Sequence, residues 1–113
     1  MDELLGDTEL CISVITEAEI CYGLERNPQA SRLRAAVAKF IGVVRILPWD
    51  SAAAQAYGNL RVRLEANGTP LDEADLMIAA HARALGAVLV SHDRVFRYLR
   101  GYVTVEDWAT DLA

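Results

Sequence analysis

Short β-branched runs alternate with helical stretches along the whole chain, and this alternation limits the fold more than any other feature. Leu10 to Ile15 is a compact apolar run that reads as a buried strand. Thr16-Glu17-Ala18-Glu19 follows with the pattern of a helix start, and Asn27-Pro28 stops that helix near Arg26. Ala30 to Ile41 carries Leu33, Val37, Phe40 and Ile41 at helical spacing. Val43 to Leu47 is a strand closed by Pro48, and Asp50 or Ser51 caps a longer helix ending near Asn67-Gly68. Asp72 to Leu85 is a further helix closed by Gly86, and Ala87 to Ser91 a further strand. A short helix from Asp93 to Arg100 and a strand over Tyr102 to Val105 complete the pattern. Strands that alternate with helices imply parallel pairing through right-handed crossovers, so the expected fold is a three-layer α/β/α sandwich with a central parallel sheet.

With 113 residues, 53% apolar and 24% charged, the chain is expected to form a single domain over residues 1–113. No apolar stretch is long enough to span a bilayer, and Met1 to Asp7 lacks the basic and apolar regions of an export signal. The expected location is the cytoplasm, with Cys11 and Cys21 as reduced, small apolar residues. The formal charge of −5 disfavours simple phosphate binding through a basic surface. Clustered acids can instead recruit divalent cations, which then attract phosphate.

Open α/β sheets place their sites at the carboxyl ends of the strands. Glu19 lies one turn beyond the strand ending at Ile15, and Asp93 lies just beyond the strand ending at Ser91. Asp75 falls in the first turn of a helix whose start faces the same rim. Each acid also has a purely structural explanation. Thr16-x-x-Glu19 matches a capping box, Asp72-x-x-Asp75 suits a helix dipole, and Asp93 could cap a short helix. Three carboxylates on one rim, however, repel one another unless a cation neutralises them. His81 is expected to be a packed or surface residue, and His92 a loop residue beside Asp93. Arg94, Arg97 and Arg100 recur every three residues, as a solvated face or as a strip that guides phosphate. Phosphate loops, nucleophile triads and zinc-type spacings are absent from the sequence, which leaves metal-assisted phosphodiester hydrolysis as the fitting chemistry.

These residues resemble the PIN domain, and within it the VapC-type toxins of bacterial toxin–antitoxin pairs. The resemblance rests on Ile12 to Gly23 with its Thr-x-x-Glu-x-x-x-Gly pattern, and on Asp75-Leu76-Met77-Ile78-Ala79-Ala80. Val90-Ser91-His92-Asp93-Arg94-Val95-Phe96 and Val105-Glu106-Asp107-Trp108 complete it. It implies a metal-dependent endoribonuclease in which Glu19, Asp75 and Asp93 hold Mg2+ or Mn2+. Ser91 matches a hydroxyl position near the site, and Arg94 and Arg97 are the phosphate contacts expected beside it. An RNA substrate, a small antitoxin partner and a homodimer are further implications.

The family begins with a strand that carries a fourth acid, in a pattern such as Leu-Asp-Thr-Asn, at the centre of the sheet. Asp7-Thr8 imitates that dipeptide but is followed directly by Glu9 and the Leu10 strand. The family's first, central strand is therefore expected to be absent, leaving two exposed strand edges. The chain then reads as truncated at its start, with Asp2 to Asp7 as the tail of the family's first helix. A rival reading follows from the missing acid: a PIN-like module that binds antitoxin or itself without cleaving RNA.

Overall fold

A computed structural model describes residues 10–69, 71–90 and 99–106 in full, and the backbone of residues 3–6 and 9. The chain order is β1 (Glu3–Gly6), β2 (Glu9–Ser13), α1 (Val14–Arg26), α2 (Ser31–Ile41) and β3 (Arg45–Leu47). It continues with α3 (Ser51–Ala66), α4 (Glu73–Leu85), β4 (Val88–Val90) and β5 (Thr104–Glu106). The expected helices and strands are present within a few residues of their expected bounds. The helix expected from Asp93 to Arg100 falls largely outside the described residues.

The described strands form one sheet in the order β3-β2-β1-β4-β5. The pairs β2–β3 and β4–β5 are parallel, as alternation with helices requires. The centre of the sheet corrects the expectation drawn from sequence. Residues Glu3 to Gly6 are a strand rather than the tail of a helix, and they fill the position between β2 and β4. β1 runs antiparallel to both neighbours, so the sheet is mixed rather than wholly parallel.

Two physical constraints account for that reversal. Without β1, the facing edges of β2 and β4 would leave their backbone N–H and C=O groups unpaired inside the sheet. Only two residues separate Gly6 from Glu9, whereas a parallel partner needs a crossover of about a dozen residues or more. A segment tethered that closely to β2 can pair with it only in reverse. Its register sets Leu4 opposite both Cys11 and Leu89, and Glu3 opposite Val90. The reversed strand therefore brings its beginning, Glu3, to the rim where β2 and β4 end.

The core lies between the sheet and the pair α3 and α4. Leu60 and Leu64 of α3, Leu76, Ile78 and Ala79 of α4, and Cys11 and Leu89 of the sheet form one buried cluster. Ile12 and Val90 alternate with cluster residues and are also buried, which marks the opposite face of the sheet as covered. Small residues at Ala79, Ala80 and Ala82 let α4 approach closely. Gly86 ends α4 at φ 63°, a left-handed conformation that sends the chain directly into β4. The result is the three-layer α/β/α sandwich expected from the alternation. No described helix is long and apolar enough to cross a membrane.

Candidate active site

β2 and β4 point the same way, because each is antiparallel to β1, so their carboxyl ends share one rim. α1 begins at that rim directly after β2. α4 returns from the rim to the start of β4, so its amino-terminal end also lies there.

Ser13, the last residue of β2, caps α1: its Oγ accepts the Ile15 N–H at 3.1 Å. The capping box of Thr16 and Glu19 therefore does not form. The strand ends at Ser13, Thr16 is already inside the first helical turn, and Glu19 falls in the second turn. Capping no longer explains Glu19, which is exposed on α1. Asp75 is half-buried in the first turn of α4. The α4 N-cap, Asp72, makes no side-chain cap hydrogen bond, so the first-turn acids Glu73 and Asp75 serve the helix dipole. Glu73 is itself engaged, accepting from the Tyr57 hydroxyl, which in turn accepts from Arg61 at 2.9 Å.

Asp93, Ser91, His92, Arg94 and Arg97 lie outside the described residues. Among the described residues, no three His, Cys, Asp or Glu side chains gather into a metal-holding group. Glu19 and Asp75 are thus two hard oxygen donors on helices that start at the same rim. Thr16 Oγ1, three residues before Glu19, is buried and has no hydrogen-bond partner among the described residues. Carboxylates are donors that suit Mg2+ or Mn2+ rather than a soft metal.

A buried polar chain lies just behind the rim, and sequence reasoning passed over it. His81 is 2% exposed and Ser13 0%, and His81 Nδ1 lies 2.8 Å from Ser13 Oγ. The ring also makes a hydrogen bond with the backbone of Pro48. Proline has no N–H, so its carbonyl must accept from a ring N–H. Every group is satisfied when the imidazole is neutral, Nε2–H donates to Pro48, and the Ser13 hydroxyl donates to Nδ1. Burial pushes the His81 pKa below its ordinary 6.5, opposed by the charge of Asp50 and the Pro48 bond. The available signal was the apolar run around position 81, since Ile78, Ala79, Ala80 and Ala82 are all buried.

Away from the rim, α1 and α2 enclose a groove of about 520 Å3 lined by Ile20, Cys21, Leu24, Val37 and Ile41, with Glu17 and Arg34 at its margin. Its apolar lining makes it unsuited to phosphate chemistry.

The family model of the PIN domain matches residues 1–102. The chain belongs to the PIN-domain family. This PIN domain is 36% identical over 106 residues to a tRNA(fMet)-specific endonuclease VapC of Shigella flexneri, spanning 93% of this chain and 80% of that relative. A protein of the same description from Salmonella typhimurium is 38% identical over 105 residues, spanning 92% of this chain and 79% of the relative. The DNA-bound VapBC structure from Salmonella typhimurium superposes with a TM-score of 0.79 at 38% identity, over 87% of this chain and 74% of that one. The PIN domain described here is therefore of the VapC kind, a family whose named members are ribonucleases and endonucleases.

Proposed function

We propose that this PIN domain is the toxin ribonuclease of a type II toxin–antitoxin pair, acting in the cytoplasm on RNA with Mg2+ or Mn2+. The observation that carries this reading is its 36–38% identity, over most of the chain, to relatives named as VapC endonucleases. The rim geometry supports it, because Glu19 and Asp75 lie on helices that begin at the same edge of the sheet. Asp93, three residues beyond the end of β4, supplies the third acid in this reading.

Glu19, Asp75 and Asp93 would hold the ion. A bound Mg2+ or Mn2+ supplies Lewis-acid polarisation of a phosphoryl oxygen and lowers the pKa of water. In this reading half-buried Asp75 is the better-shielded ligand, and exposed Glu19 would help to place the attacking water or a second ion. Arg94 and Arg97 would fix the scissile phosphate, and Ser91 would hydrogen-bond near it. The protein partner in this reading is a small antitoxin, because the solved relatives include VapBC complexes. Self-association as a homodimer belongs to the same reading.

The decisive variants are Asp75→Asn and Asp93→Asn, assayed for Mn2+-dependent cleavage of a structured RNA with folding followed by circular dichroism. Each is expected to remove cleavage while leaving the fold intact. Unchanged cleavage by either folded variant would refute its role as a ligand. The second reading is a PIN-like module that binds antitoxin or itself without cutting RNA. Antitoxin binding by a folded wild-type chain that never cleaves RNA would favour it.

A further inference from the structure

We propose that Ser13 and His81 are positioning residues for the nuclease site, because their buried hydrogen bond fixes the two helices that carry Glu19 and Asp75. The proposal rests on the reading of those two acids as ion ligands.

The two residues lie 68 positions apart in sequence, yet Ser13 Oγ and His81 Nδ1 are 2.8 Å apart in the interior. Ser13 Oγ also accepts the Ile15 N–H at 3.1 Å, so a single atom sets the start of α1 and the placement of α4. Glu19 follows Ser13 by six residues, and Asp75 precedes His81 by six. At about 1.5 Å per residue, each acid lies roughly 9 Å along its helix from the bond. The far side of the ring holds the Pro48 backbone, just after β3. The neighbouring Trp49 donates its Nε1–H to the Met77 carbonyl at 3.0 Å. Met77 and His81 are one turn apart on α4, so the helix is pinned at two adjacent points on one side. The first turn, with Asp75, extends directly beyond that anchored stretch.

A cation held by carboxylates from separate helices depends on their separation, and partners behind the ligands commonly set it. The Ser13–His81 bond is a structural candidate for that role, and it makes a specific chemical demand. An acceptor must stand where Nδ1 is, which an Asn side chain can supply at position 81. A Gln side chain reaches instead towards the Nε2 position and the Pro48 carbonyl.

The test is Mn2+ binding to the full chain, read as free Mn2+ by electron paramagnetic resonance, with circular dichroism as the folding control. His81→Asn is expected to keep the dissociation constant within about threefold, and His81→Gln to weaken it by on the order of 10- to 100-fold. Equal weakening by both variants, or none by His81→Gln, would overturn the proposal. Should His81→Gln not fold, Ser13→Ala serves instead, and full-strength Mn2+ binding by that folded variant would overturn the proposal. Asp75→Asn separates the two levels of the argument. Its loss of Mn2+ binding supports the ligand reading on which the proposal stands, and retained binding would remove that reading and the proposal together.

Discussion

Ser13→Ala removes one oxygen atom from the interior and should cost more than any ordinary capping substitution. The Ser13 hydroxyl caps α1 through the Ile15 N–H, a contribution of about 1 kcal/mol. It also serves His81 Nδ1, a buried acceptor whose isolation adds about 1–3 kcal/mol. The combined cost is roughly 2–4 kcal/mol, or about 8–16 °C in Tm at some 4 °C per kcal/mol for a chain of this length. Asp50→Ala provides the internal comparison. Asp50 caps α3 by accepting the Ala53 N–H at 3.1 Å, but it is exposed and leaves no buried acceptor behind. Its cost should therefore stay near 1 kcal/mol. Equilibrium urea unfolding, followed by circular dichroism, reads both values. A Ser13→Ala cost no larger than that of Asp50→Ala would refute the argument. Combining Ser13→Ala with His81→Leu should cost about 1 kcal/mol less than the sum of the two changes, because the stranded acceptor leaves with the ring.

The titration of His81, the packing of α3 and the backbone at Gly86 each give a further expectation. Burial holds the folded His81 pKa below 6.5, so between that folded value and 6.5 the unfolded chain carries a proton that the folded chain lacks. The His81 contribution is full above about pH 6.5 and is lost as pH falls through that window, with a slope of at most about 1.4 kcal/mol per unit. In urea unfolding across that range, His81→Asn should remove this part of the slope, and an unchanged slope would contradict the assignment. Leu60→Ala should cost about 2–5 kcal/mol, because Leu60 is fully buried in the cluster joining α3, α4 and the sheet. Val62→Ala on the same helix, 68% exposed, should stay within about 0.5 kcal/mol, and similar costs for the two would misplace that core. Gly86→Ala should cost about 1 kcal/mol in the same assay. Nothing lies within 4 Å of the added Cβ, so its whole effect comes from φ 63°, and a neutral result would contradict a left-handed Gly86.

The elements that the sequence specifies locally were readable from it. Asp50 caps α3, Gly68 follows its end at φ 66°, and Gly86 closes α4, because each signal acts on its own neighbours. β1 was not readable, since Glu-Leu-Leu-Gly is too short to show a period and its pairing is decided by the edges of β2 and β4. The α1 boundary shows the same limit at a single residue. Thr16-x-x-Glu19 imitates a capping box, but the cap belongs to Ser13, whose hydroxyl is held in place by a histidine 68 residues away. Of the candidate site, the rim positions of Glu19 and Asp75 could be read from strand and helix order alone. The network behind them could not, because helical periodicity places position 81 inside the fold without naming its partner.

In the proposed function this chain cuts RNA with a divalent cation held by Glu19, Asp75 and Asp93. The most direct measurement is cleavage of a structured RNA by the purified, folded protein, with Mn2+ and then with excess chelator. Cleavage that appears with Mn2+ and stops with chelator is the expected result. Cleavage that continues undiminished in chelator, or none at all from the folded protein with Mn2+, would contradict the claim.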